Sequence, residues 1–166
     1  PDTGAGAAPS NNALSHKLNA RIRPFAEAHI PAALALWRAT PGVGLSAADE
    51  PAAIARYLAR NPGLSLVAES EPDGQLIGTL LCGHDGRRGL IHHLVVAPGH
   101  RRQRIGERLV SAGLQGLHAQ GIGKCHLMVF EDNTAAQQFW LAVGAQQRQD
   151  LRLFSLNTSA SSAPAR

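Results

Sequence analysis

Two spacings of apolar residues organise the chain. At helical spacing, Ile30, Leu34 and Trp37 fall on one face of a predicted helix over Glu27 to Ala39, with Pro31 in its first turns. Ile105, Leu109, Ala112 and Leu117 do the same for a longer helix over Arg104 to Gln120. Between them lie three extended runs, Leu64 to Glu69, Leu76 to Cys82 and Leu90 to Val96, separated by the turn segments Glu71 to Gly74 and His84 to Gly89. Turns this short predict an antiparallel meander. Ala20 to Pro24, with Ile22 on one face, reads as a short opening strand. Asp49 is placed to cap a second helix, with Pro51 near its first position, that ends at about Arg60 before Asn61, Pro62 and Gly63. Farther along, Lys124 to Phe130 reads as a strand. Asn133 caps a helix that runs to Val143 and stops at Gly144, and the alternating Leu151 to Leu156 reads as a last strand. The predicted order is β-α-α-β-β-β-α-β-α-β. A strand, a helix and a strand across residues 90–130 imply a right-handed crossover between parallel neighbours. The fold class is therefore α/β (α+β), a mixed, mostly antiparallel sheet with one parallel pair and about four helices.

Composition narrows this picture. The chain has 166 residues, 44% hydrophobic and 17% charged, enough to bury one core without a disulfide or a structural metal. Residues 1–16 and 157–166, rich in Ala, Gly, Pro, Ser and Asn, read as flexible flanks of one domain over 17–156. No uncharged apolar run approaches the roughly 18 to 20 residues of a membrane span, so no membrane partner is expected. Pro1 to Ser10 has neither a basic nor an apolar signal region. Cys82 and Cys125 make no disulfide scaffold or zinc site, and the cytoplasm is the expected compartment. Eight histidines invite a metal, but no H-E-x-x-H or equivalent cluster is present, so no metal is expected. The formal charge is +4, yet it falls to +1 without Arg101, Arg102 and Arg104. One local basic cluster suits a small polyanion better than a duplex, and with aromatics at 4% nucleic acid is not the expected partner.

That cluster lies in Val96-Ala-Pro-Gly-His-Arg-Arg-Gln-Arg-Ile-Gly106, where a strand ends and a helix begins. First-turn N–H groups lack partners inside a helix and sit at the positive end of its dipole. Arginines there oppose that dipole, so folding does not ask for them, whereas phosphate capture explains both features. The segment resembles motif A of the GNAT N-acetyltransferase superfamily, [Q/R]-x-x-G-x-[G/A], with Arg101 in the Q/R place and Gly106 in the last. Glu131 to Gly144 is similar to motif B, N-x-x-A-x-x-F-Y-x-x-x-G-F, matched by Asn133, Ala136, Phe139 and Gly144. The resemblance covers about residues 20–156. It implies a twisted sheet whose parallel pair splays at the cofactor site, with acetyl-CoA as cosubstrate. The pyrophosphate would rest on Arg101, Arg102, Gln103, Arg104, Ile105 and Gly106. Leu94, Val95 and Val96 would pair with the pantetheine arm, and Asn133, Ala136 and Phe139 complete the implied cofactor set. The Gly83 to Gly89 turn followed by a histidine pair resembles one bacterial branch of the superfamily.

Two positions depart from the family's pattern. Arg104 replaces the middle glycine of motif A, which is compatible with helical geometry if its φ stays negative and its side chain points away or folds over the phosphate. Trp140 replaces the tyrosine that serves many members as general acid, and an indole N–H cannot transfer a proton at neutral pH. Trp140 could line the acceptor site, and Tyr57, the chain's one tyrosine, could supply a hydroxyl there, although packing explains each as well. Direct transfer needs a neutral amine and hence a base. His92 and His93 are the candidates. They should point to opposite faces of the strand, and His92 is preferred by its match to the family position.

The remaining polar groups have plainer explanations. His84 and Asp85 suit a hairpin turn, Glu131 and Asp132 suit a helix start, and His100 and His118 should be exposed. Trp37 reads as core and Cys125 as an inert buried thiol, which disfavours an acyl-enzyme. Gly121 to Lys124 is no P-loop. The function expected from the resemblance is acetyl transfer to a primary amine of a small molecule or peptide. A CoA-binding sensor without efficient turnover is the alternative. The sequence leaves the acceptor, the acyl-chain preference and the oligomeric state open, a homodimer included.

Overall fold

The structure, a computed structural model, describes residues 20–158. The expected flank over 1–16, and the tail beyond residue 158, lie outside the described residues. The described residues form two compact units divided between Met128 and Val129.

The first unit carries a five-stranded sheet in the order β1-β2-β3-β4-β5, formed by β1 (Ala20–Pro24), β2 (Leu66–Ser70), β3 (Leu76–His84), β4 (Gly89–Val96) and β5 (Cys125–Leu127). The first four strands pair antiparallel and β4–β5 is parallel, as the short turns and the one helical crossover predict. Helices α1 (Ile30–Arg38) and α2 (Pro51–Arg60) precede the meander, and α3 (Ile105–Ala119) makes the crossover. The sheet is covered on both faces, which is why β3 reads as a nearly continuous buried run rather than an alternating one. Leu81 of β3 joins Trp37, Leu34 and Ile54 in a buried cluster on the α1–α2 face. Leu80 and Cys82 face α3, at Gly113, where a Cβ would come within 2.7 Å of the Leu80 side chain. Each fully buried Leu or Ile contributes roughly 2 kcal/mol through water exclusion.

The structure corrects several expected elements. The helix expected from Glu27 opens as a 3-10 turn over Glu27–His29 and becomes α-helical at Ile30. Asp49 does not cap α2, whose N-cap position is Glu50. It closes a separate 3-10 turn, Ala47–Asp49, in which the Ser46 hydroxyl accepts the Ala48 N–H and Asp49 Oδ2 accepts the Ser46 N–H at 2.8 Å. The strand expected over 124–130 shortens to Cys125–Leu127.

In the second unit, α4 (Thr134–Ala142) is capped by Asn133, whose Oδ1 accepts the Ala136 N–H at 3.1 Å, as expected. The last strand expected over 151–156 is absent, and 151–158 has no regular structure. Alternation marks a segment able to form a strand, but a strand exists only against a neighbour. Leu153, Phe154 and Leu156 are correspondingly 74%, 88% and 94% exposed.

Candidate active site

Strand β4 sets the geometry of the site. Its parallel ladder with β5 ends at Ile91, opposite Leu127, while β4 itself continues to Val96. Among the described residues, the outer edge of β4 beyond Ile91 therefore has no strand partner, and its polar backbone groups are open to an extended ligand. Leu94, Val95 and Val96, implied as the pantetheine-pairing residues, all lie on this stretch.

The inner edge is bulged. Leu81 pairs with His92 and Thr79 with Val95, so Leu80 alone opposes His93 and Leu94. His93 takes the extra turn with φ 47°, a left-handed conformation that histidine tolerates better than most residues. A buried relay holds it there. The Trp37 indole N–H donates to Thr79 Oγ1 at 2.8 Å, and that hydroxyl donates to the His93 carbonyl at 2.9 Å.

The bulge overturns the expectation that the two histidines face opposite ways. His92, opposite Leu81, lies near Tyr57 of α2, their rings 6.2 Å apart. The His93 ring lies on the Trp37 indole of α1 at 4.5 Å. Both therefore occupy the α1–α2 face, because the inserted residue breaks the two-residue alternation. His93 Nε2 lies 2.6 Å from Asp49 Oδ1, and the two side chains are only 15% and 11% exposed. Burial pushes the His92 imidazole below its ordinary range, with His93 adding to the shift and Asp49 opposing it. Tyr57 is pushed well above the ordinary tyrosine range by burial and by Cys82 and Cys125. Its hydroxyl has no hydrogen-bond partner among the described residues and lies over Gly83, where a Cβ would come within 2.5 Å of it.

Past Val96 the chain makes a 3-10 turn over Pro98–Gln103 and enters α3. The first α3 bond to involve this junction runs from the Arg108 N–H to the Arg104 carbonyl. The N–H groups of Ile105, Gly106 and Glu107 consequently have no partner within the helix, an arrangement able to receive an anion. Arg101 and Gln103 are exposed beside it, and Arg101 Nε donates to the Val96 carbonyl at 3.2 Å. Arg104 departs from expectation. Its φ is +58°, not negative, and its exposed guanidinium pairs with Glu107 at 2.9 Å. The junction needs a left-handed residue, which explains the family's glycine at this place.

Asn133, Ala136, Phe139 and Trp140 all lie in the second unit. There Asn133 is occupied as the helix cap, and the half-buried Phe139 and Trp140 rings meet edge to face at 5.3 Å. The bland readings of the turn hold. Asp85 accepts the Arg87 and Arg88 N–H groups, which lower its pKa, and His84 bonds Gly86 and Gln120. Burial pushes the Cys82 thiol up to about 12 and that of half-buried Cys125 to about 11, so neither is poised as a thiolate. His118 is exposed as expected, but His100 is half-buried and its Nδ1 has no partner among the described residues. Asp49 was legible in sequence only as a cap, because its partner lies 44 residues away. The spacing Ser46-x-x-Asp49 does signal the turn that positions it.

Among the described residues there is no group of metal-ligating side chains, and no helix is long and apolar enough to cross a membrane. Comparison with known proteins gives a consistent family. Residues 30–145 match the Acetyltransferase (GNAT) family. A Photorhabdus laumondii acetyltransferase is 36% identical over 118 residues, covering 69% of this chain and 78% of the relative. A Pectobacterium atrosepticum acetyltransferase is 43% identical over 82 residues, 49% of this chain, and that match spans 57% of the relative's length. Among solved structures, a Staphylococcus aureus acetyltransferase of the GNAT family superposes with a TM-score of 0.67 at 15% identity, over 81% of this chain and 90% of that one. The aminoglycoside N-acetyltransferase AAC(6')-Iy, solved with CoA, gives 0.67 at 18% identity, over 86% and 98%. At these identities the structural likeness establishes the fold.

Proposed function

The chain belongs to the GNAT acetyltransferase family, and we propose that within it the protein is an acetyl-CoA-dependent N-acetyltransferase acting directly on a primary amine of a small molecule or peptide. The observation that carries this reading is the open edge of β4, which runs from Ile91 to Val96 and leads through one turn to the unpartnered amides of α3. An edge of that kind fits a pantetheine arm, and the helix start fits a pyrophosphate. Acetyl-CoA, bound there, supplies the acyl group and a thiolate leaving group. Backbone donors near Val95 or Val96 would polarise the thioester carbonyl, and the histidine pair 92–93 supplies the base. Holding the amine against the thioester supplies much of the acceleration. AAC(6')-Iy, solved with an analogue joining CoA to an aminoglycoside fragment, supports a small-molecule amine as the first acceptor to try. The free thiols of Cys82 and Cys125 suit the cytoplasm.

The test is release of free CoA thiol from acetyl-CoA across a panel of primary amines, with mass spectrometry of the amine. Amine-dependent release with gain of one acetyl group is expected. CoA binding with no release above buffer for any amine would overturn the enzyme reading in favour of a CoA-binding sensor, the role that Trp140 in the tyrosine place would suit.

A further inference from the structure

We propose that His93, held by Asp49, is the proton acceptor of the site, and that Asp49 is the positioning residue that selects its reactive tautomer. The inference rests on the N-acetyltransferase reading and deepens it. Asp49 Oδ1 lies 2.6 Å from His93 Nε2, while Asp49 Oδ2 is fixed by the Ser46 N–H at 2.8 Å. A carboxylate can only accept, so Nε2 carries the proton and Nδ1 keeps its lone pair. Among the described residues the His93 ring makes its one side-chain hydrogen bond through Nε2, which leaves Nδ1 for a substrate. The ring cannot turn away, because the Trp37 indole lies against it at 4.5 Å and the backbone carbonyl is held by Thr79. Folding alone does not ask for this pair. Two largely buried polar groups joined across 44 residues, at a left-handed backbone position, are the kind of strained arrangement that marks working sites. It stands where the β4 edge has just become open.

The titratable groups about His93 are Asp49 from the 3-10 turn and His92 on its own strand, with Tyr57 of α2 beside His92. From α1 and β3 it meets Trp37 and Thr79, which do not titrate. His93 Nδ1 takes one proton from the substrate ammonium and passes it to water, the Asp49 carboxylate stabilising the imidazolium meanwhile. The freed amine lone pair forms the C–N bond as the thioester C–S bond breaks. The second amine proton neutralises the departing thiolate, so acetamide, CoA thiol and one solvent proton balance the reaction.

The experiment compares wild type, Asp49→Asn and His93→Ala. Asparagine can still accept the Ser46 N–H, but its NH2 group donates to His93 Nε2 and forces the proton onto Nδ1. Asp49→Asn should lower kcat at least about 100-fold, leave KM for acetyl-CoA within about twofold, and flatten or displace the acid limb of the kcat/KM pH profile. Imidazole nitrogen NMR should show Nε2–H in the wild type and Nδ1–H in Asp49→Asn, a readout independent of activity. His93→Ala should lose turnover and recover part of it with added imidazole. Unchanged kcat and pH profile in Asp49→Asn, or a loss confined to His92→Ala, would overturn the proposal while the transferase reading stands. A wild type without turnover on any amine would overturn the transferase reading and this proposal with it.

Discussion

Arg104 is where the chain replaces the family's glycine, and its φ of +58° makes the cost of that replacement measurable. A residue with a Cβ in the left-handed region is strained by roughly 1–2 kcal/mol. Glycine escapes the strain but loses more backbone freedom on folding, roughly 0.5–1 kcal/mol relative to alanine. The informative comparison is therefore Arg104→Gly against Arg104→Ala. Both variants remove the ion pair with Glu107, which is largely exposed at 80% and 45% and stabilises little, so that contribution cancels. What remains is the left-handed strain less the backbone entropy, about 0.5–1 kcal/mol in favour of glycine. For a chain of this size that is about 1–4 °C in Tm, or a few tenths of a molar in urea midpoint. Urea denaturation followed by circular dichroism resolves it. An Arg104→Ala variant as stable as Arg104→Gly, or more so, would refute the left-handed junction and with it the explanation of the family glycine.

Thr79→Val removes the hydroxyl between Trp37 and the His93 carbonyl and leaves a buried indole N–H without a partner, at a cost of about 2 kcal/mol. Thr79→Ser keeps both bonds and should lose less, and equal urea midpoints for the two would contradict the relay. Stability should also depend on His92. Burial holds its folded pKa below the ordinary value of 6.5, so the unfolded chain binds the proton first. Its contribution is present above about pH 6.5 and is lost as the pH falls through the folded value. Urea midpoints measured from about pH 7.5 to about pH 5 should fall, and His92→Gln should reduce the slope; an identical slope in that variant would contradict the assignment.

The sheet was legible in the sequence because its information is local. Leu76 to Cys82 and Leu90 to Val96 are apolar runs bounded by turn residues, and the structure pairs them as read. The segment over 151–156 carries the same local signal, yet it has no regular structure, because a strand is defined by pairing and not by alternation alone. The junction from strand end to helix start was equally legible, since the end of β4, the arginines and the start of α3 are contiguous. What the sequence hid depends on distance or on backbone sign. The bulge that turns His92 and His93 to one face comes from the mismatch of β3 against β4, not from either strand alone. Asp49 meets His93 across 44 residues. Arg104 takes the conformation of the glycine it replaces, so a rule based on side-chain preference gave the wrong sign of φ.

Calorimetric titration of acetyl-CoA at moderate salt into wild type, Arg101→Ala and Gly106→Trp tests the cofactor site most directly. Dissociation in the micromolar range is predicted for the wild type, about −8 kcal/mol. Loss of the guanidinium in Arg101→Ala should weaken binding strongly, and an indole over the first-turn amides in Gly106→Trp should abolish it. Wild-type protein that binds neither acetyl-CoA nor CoA, or a Gly106→Trp variant that binds as the wild type does, would contradict the placement of the cofactor at this strand edge and helix start.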